Sequence, residues 1–109
     1  MKSELMYIAF VDPAGRTQWA RIGRIGFSKT GRTLYYEGRE LRGQGQPWYV
    51  DTATGEQFHI QRARNDGLDR SEGRKGGSFP VEIDDDVREE YWTRVRGEPK
   101  RRHERLIHS

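Results

Sequence analysis

Arginine interleaved with aromatic side chains is the most extended chemical pattern in this chain of 109 residues. Trp19, Tyr36 and the eleven residues Arg21, Arg24, Lys29, Arg32, Tyr35, Arg39, Arg42, Tyr49, His59, Arg62 and Arg64 alternate rings with cations over the middle of the sequence. On a small barrel, rings of this kind stack on bases while guanidinium groups follow the phosphates. The pattern therefore predicts contact with RNA or single-stranded DNA through a basic, aromatic sheet face built from those eleven residues, extended by Arg74 and Lys75. The bland alternative is that the arginines line ordinary solvent faces and the rings are core.

Other constellations carry less. Gly23-Arg24-Ile25-Gly26-Phe27-Ser28-Lys29-Thr30 comes within one residue of a phosphate-binding loop, with Ser28 where a glycine should stand. That chemistry needs a helix after the Lys-Thr pair. Here Gly31 leads into Thr33-Leu34-Tyr35-Tyr36, so a hairpin is expected. Asp84, Asp85, Asp86, Glu89 and Glu90 have the oxygen chemistry of a hard-cation site, but they lack the ligand alternation of a calcium loop. They read better as the acidic start of a helix, Asp86 and Glu89 having capping-box spacing. His59, His103 and His108 share no metal-ligand spacing. Ser28, His59 and Asp51 make a triad only by composition. No catalytic residue, metal or cofactor is expected.

The elements that must position these groups are mostly strands. Leu5-Met6-Tyr7-Ile8-Ala9-Phe10-Val11 is an apolar run of strand length, closed by the turn residues Asp12-Pro13-Ala14-Gly15. Thr17 to Phe27 is a second strand whose alternation slips near Gly23, where a bulge is expected. Ser28 to Arg32 joins it to Thr33–Tyr36 as a hairpin. Trp48-Tyr49-Val50 and Glu56-Gln57-Phe58-His59-Ile60 flank Asp51 to Gly55 as another, with Phe58 and Ile60 on one face and His59 pointing outward. Residues 61–79 carry glycine and mixed charge with almost no apolar side chain, and read as a long mobile loop. Pro80 to Ile83 is a short last strand. From Asp85, Val87, Tyr91 and Val95 fall at helical spacing with Trp92 beside them, until Gly97 and Pro99. Residues 98–109 form a basic tail expected to fray.

The totals agree with one small domain, residues 1–97, that is mainly β with a short C-terminal helix. The expected architecture is a five- or six-stranded antiparallel twisted sheet or partly open barrel. Only 32% of residues are hydrophobic, so the twelve aromatic rings must carry much of the core. The chain contains no cysteine, which excludes disulfides and thiolate chemistry and fits a cytoplasmic setting. Its start lacks the apolar stretch of a signal peptide, and no segment has the length of a membrane span. The net charge is only +3. Its distribution is uneven, with acids gathered at residues 82–90 and arginine and lysine at 94–109.

The block from Trp19-Ala20-Arg21-Ile22-Gly23-Arg24-Ile25-Gly26-Phe27 through Ser28-Lys29-Thr30-Gly31-Arg32-Thr33-Leu34-Tyr35-Tyr36 resembles a family of small bacterial proteins with no established activity. So does Val81-Glu82-Ile83-Asp84-Asp85-Asp86-Val87-Arg88-Glu89-Glu90-Tyr91-Trp92. The likeness covers most of residues 5–96, including Asp69-Arg70 and the stretch from Tyr49-Val50-Asp51 to Gly55-Glu56, and stops at Gly97. Members sometimes carry the name of a thiamine-dependent deoxyxylulose phosphate synthase, whose domains do not fit into 109 residues. The resemblance implies no site. The functional expectation rests on the arginine-aromatic pattern: a non-catalytic module that binds RNA or single-stranded DNA. The alternative is a protein-interaction or regulatory adaptor docking through the Tyr91-Trp92 helix, the strand edges or the basic tail.

Overall fold

A computed structural model describes residues 2–45, 47–63 and 81–107. Six antiparallel strands close a barrel: β1 (Lys2–Val11), β2 (Thr17–Phe27), β3 (Thr33–Tyr36), β4 (Arg39–Gly43), β5 (Trp48–Asp51) and β6 (Gln57–Arg62). Closure comes from β1, which pairs with β2 from Lys2 to Val11 and with β6 from Met6 to Val11. The barrel is thus closed, not partly open. Two more strands, β7 (Val81–Ile83) and β8 (Leu106–Ile107), add to the outside of β2, β7 running parallel to it and β8 antiparallel to β7.

Local chemistry explains each connection. Asp12 Oδ1 accepts the Ala14 and Arg16 N–H groups in the β1–β2 turn. The Ser28 to Arg32 hairpin is closed by the Ser28 N–H on the Thr33 carbonyl at 2.9 Å. Strand, not helix, follows it, so the near-match to a phosphate loop is hairpin chemistry. Glu37 and Gly38 both have positive φ, 47° and 78°, the geometry of a two-residue turn between β3 and β4. In the β5–β6 hairpin Asp51 Oδ1 accepts the Ala53 and Thr54 N–H groups.

Alternation divides the apolar residues between two cores. Met6, Ile8, Ile25, Leu34, Tyr36, Leu41, Tyr49, Phe58 and Ile60 fill the barrel, with Phe10, Trp19 and Phe27 half-buried at its ends. Tyr7, Ala9, Ala20 and Ile22 point out of β1 and β2, where Val81, Ile83, Val87, Tyr91, Trp92 and Ile107 cover them. Both faces of β1 and β2 are therefore buried, which is why their patterns read as continuous or slipping. No bulge occurs at Gly23, which stays in register opposite Met6. The one register shift between these strands lies at Phe10 and Val11. Gly23 is needed for space instead: a Cβ there would lie 2.5 Å from Asp84 Oδ2 and 2.7 Å from Tyr36 Cε1.

The helical segment runs through Asp85–Val87, Arg88–Glu90 and Tyr91–Val95, tightening and then widening its turn. None of its starts has a side-chain cap, so the expected capping role of Asp84 and Asp86 is not what the acids do. Asp84 instead accepts the Tyr36 hydroxyl at 2.6 Å. The expected frayed tail is also corrected. Residues 98–107 fold back, Ile107 is 1% exposed, and the Glu104 carbonyl accepts the Trp92 indole N–H at 2.8 Å. The apolar pair Leu106-Ile107 supplies the reason, since an Ile that completes an apolar layer gains about 1.5–3 kcal/mol on burial. The expected loop at 61–79 falls for the most part outside the described residues; Gln61 and Arg62 belong to β6.

Candidate nucleic-acid interface

Strand direction gives the barrel two unlike mouths. The first carries the 12–16, 37–38 and 52–56 turns, and the second carries the 28–32 and 44–47 turns.

The first mouth is crossed by ion pairs, beside an open concavity of about 420 Å³ lined by Phe10, Pro13, Thr54 and Glu56. Arg39 donates to Asp51 at 2.7 Å and to Glu56 at 2.9 Å while its guanidinium lies 5.4 Å from the centre of the Phe58 ring. Arg21 lies 4.6 Å from the centre of the Trp19 ring and 3.7 Å from Glu37, beside the Tyr36 hydroxyl. The rings at this end already hold cations of the chain itself. The N–H of Ala53, then the Arg39 guanidinium and the N–H of Thr54, hold the Asp51 carboxyl below the ordinary aspartate range. Arg39 first, with the Thr54 hydroxyl, does the same for Glu56. Burial foremost, with Glu37 and Asp86 nearby, pushes Asp84 above its ordinary range against the opposing effect of the Tyr36 hydroxyl. Burial and the Asp84 carboxylate push the Tyr36 phenol far up as well.

This latch closes a split in the barrel. β2 pairs with β3 only at Gly26 and Phe27, then leaves with β7 at Arg21 and Ile22. Tyr36, Asp84 and Arg21 fill the gap, over a glycine that gives them room. The groups are structural in placement, and their charges are spent on one another.

The second mouth differs. Lys29 and Arg32 stand exposed on its hairpin turn and Arg42 stands exposed on β4, and none of the three forms an ion pair among the described residues. Arg32, Arg42 and the backbone of Gly31, Gly43 and Gly45 line an open concavity of about 620 Å³ floored by Tyr49. Tyr49 also borders a neighbouring concavity of about 500 Å³ lined by Lys2, Glu4, Phe27 and Arg62. Among the described residues the Glu4 carboxylate is the sole acidic group in the two linings, and it reaches Lys2 and Arg62 only at 3.8 and 3.9 Å. Open basic hollows of this kind attract anions, because the cations keep their charge available.

The eleven sequence-predicted residues therefore do not share one face. Lys29, Arg32, Arg42 and Arg62 gather at the second mouth, with Tyr49 as buried floor and not as a stacking platform. Arg21 and Arg39 belong to the first mouth. Arg24 points from β2 to Glu90 of the helical segment, which it pairs. Tyr35 is half-buried on the outer face of β3, opposite Glu40 of β4. His59 does point out of the barrel but is only 1% exposed, because Trp48 stacks on it and Tyr7 meets it edge-on. Arg64, with Arg74 and Lys75, lies outside the described residues.

Two residues escaped the sequence reading. Lys2 precedes the apolar run from Leu5 and reads in sequence only as the one positive charge of a start too polar for a signal peptide, and Trp48, 42% exposed, reads as one more strand aromatic. The strand β4, Arg39–Gly43, was also missed, its single apolar residue Leu41 giving no alternation to see. Among the described residues no group of three His, Asp or Glu converges as a metal-holding cluster, and no helix is long and apolar enough to cross a membrane. Comparison with family models, curated proteins and solved structures finds no match to this chain.

Proposed function

We propose that this closed six-stranded barrel is a non-catalytic binding module that contacts RNA or single-stranded DNA at its second mouth. One observation supports the reading above the others: the partition of the cations. Arg21, Arg24, Arg39, Arg94, Arg96 and Arg101 are held by carboxylates of the chain, whereas Lys29, Arg32 and Arg42 pair with none among the described residues and stand together at one mouth, apart from the other exposed cations in that state, Arg16, Lys100, Arg102 and Arg105. An arginine that neutralises an internal acid has little left for a phosphate. Arginines kept free around a hollow, with backbone N–H groups of glycine-rich turns beside them, suit a phosphate backbone.

The adaptor alternative loses its first docking element, since Tyr91 and Trp92 are both 0% exposed and their helical segment is turned inward. Closure of β1–β6 also removes most strand edges, leaving the two-residue β8 outermost among the described residues. Fluorescence anisotropy with labelled single-stranded RNA and DNA at 50 mM salt tests the proposal. Micromolar or tighter binding that weakens with salt supports it, and absence of binding to either polymer overturns it. Recovery of protein partners that survive nuclease treatment would then favour the adaptor.

A further inference from the structure

Trp48 has the placement of a stacking platform. The chain holds three tryptophans; Trp92 is fully buried, Trp19 is half-buried under Arg21, and Trp48 is 42% exposed. One exposed ring is ordinary by itself; what sets Trp48 apart is how it is held.

The ring is not loose. Its inner face stacks on His59, with centroids 5.1 Å apart and planes 28° from parallel. His59 is itself buried and stands edge-on to Tyr7, 6.3 Å away at 84°. Ala9 lies opposite His59 on β1, and so small a neighbour leaves the imidazole room beside the sheet. The backbone of Trp48 is tied on both sides, its N–H donating to the Gly45 carbonyl at 2.9 Å and its carbonyl accepting from Gln44 at 2.8 Å. A ring held from behind by a buried column loses little conformational freedom when something covers its open face.

The surroundings say what would cover it. Arg42 pairs in register with Val50, so Trp48 is its diagonal neighbour on the outer face, ~7–8 Å away at the Cα level and within reach of a long side chain. Arg42 is also one of the two guanidinium groups of the 620 Å³ hollow. An aromatic face beside free cations meets the two needs of a nucleotide in a strand, stacking for the base and charge for the phosphate.

The geometry points to Trp48 as the platform on which one unpaired base stacks, with the flanking phosphates at Arg42 and Arg32, so that the site takes single strands and rejects duplex. This inference rests on the nucleic-acid reading above. A duplex keeps its base faces covered along its length, so only a strand with an unpaired base can offer a face to the indole. Every base has such a face, and the preference is for strandedness, not sequence.

The test uses full-length protein with labelled dT12, U12 and a blunt hairpin duplex of matched length. Trp48→Ala should weaken single-strand binding by ~5- to 150-fold. It should leave duplex binding and the salt dependence as they were, while Trp48→Phe keeps most of the affinity. Binding of dT12 should also quench tryptophan emission in the natural protein but not in Trp48→Phe, since the other two indoles are covered. Circular dichroism confirms that both variants fold, and Trp48→Phe carries the emission test if Trp48→Ala does not. Equal affinity for duplex and single strand, or unchanged binding and unchanged quenching in the variants, overturns the stacking role while the nucleic-acid reading stands. No binding to any of the three probes removes both.

Discussion

Charge removal at the second mouth gives the sharpest measure of whether that surface meets phosphates. Lys2, Arg32, Arg42 and Arg62 line the two hollows there, and Lys29 stands exposed on the 28–32 turn beside them. If all five neutralise a phosphate, counterion release sets a slope of log affinity on log salt of about −3.5 for a single strand, at about −0.7 per contact. Raising salt from 50 to 200 mM then costs about 130-fold in affinity. Arg32→Gln with Arg42→Gln leaves three contacts and a slope of about −2.1, so the same salt step costs only about 18-fold. The matched control is Arg16→Gln with Arg105→Gln, which removes two exposed cations away from this mouth, one on the 12–16 turn and one beside β8. Anisotropy titrations at four salt concentrations yield all three slopes. The control should keep the natural slope. Equal flattening in both double variants would refute the reasoning, because it would mean that net charge alone, and no particular surface, governs binding.

The latch and the tail give further outcomes. Gly23→Ala forces a methyl against Asp84 and Tyr36, and urea unfolding should show a loss of about 1–3 kcal/mol. Asp84 has its folded-state value raised, so the folded protein binds the proton more readily than the unfolded chain and stability falls as pH rises through that window. Asn at that position still accepts the Tyr36 hydroxyl without titrating, so the stability difference between Asp84→Asn and the natural protein should move in the variant's favour as pH rises above the ordinary aspartate range. Asp51 and Glu56 behave oppositely, since their lowered values contribute stability above the ordinary carboxylate range that is lost as pH falls through the folded values. Arg39→Gln should therefore bring acid unfolding on at higher pH, as followed by circular dichroism. Truncation after Gly97 removes the cover supplied by Ile107 and the acceptor of the Trp92 indole, and should cost about 3 kcal/mol or more, whereas removal of a frayed tail would cost nothing.

What was legible in the sequence is what depends on local chemistry. Turn residues marked the hairpins because Asp12, Asp51 and the glycines with positive φ act within a few residues of themselves. The helical spacing of Val87, Tyr91 and Trp92 was visible for the same reason, all three being buried on one side. What failed depends on the second layer. Parity correctly put His59 on the outer face, but the sequence cannot say that Tyr7 and Trp48 close over that face. The slip at Gly23 was real in the pattern and wrong in cause, since one strand serves two cores and its glycine makes room for a residue 61 positions later. The candidate site failed in the same way. An arginine next to an aromatic in sequence looks alike whether an acid on a neighbouring strand neutralises it or not, and the pairing of β4, a strand invisible in the sequence, with the β5–β6 hairpin is what brings Asp51 and Glu56 to Arg39.

The placement of the acids then bears on how a polyanion would approach. Asp12, Glu37, Asp51, Glu56 and Asp84 gather at the first mouth and its latch, whereas among the described residues Glu4 is the one carboxylate lining the hollows of the second. The net charge of +3 therefore hides an uneven placement of carboxylates between the two mouths among the described residues. On the proposed reading, a phosphate chain would meet carboxylates and, Arg16 apart, already-paired arginines at one end and exposed cations at the other, so that the field would orient the encounter before any contact forms. The paired arginines also do what free ones could not, since they allow carboxylates to sit beside Phe58 and Tyr36 and lock the split between β2 and β3. One residue type thus holds the barrel together where an acid answers it and stands exposed where, among the described residues, none does, and that difference, not arginine content, distinguishes Arg21 and Arg39 from Arg32 and Arg42.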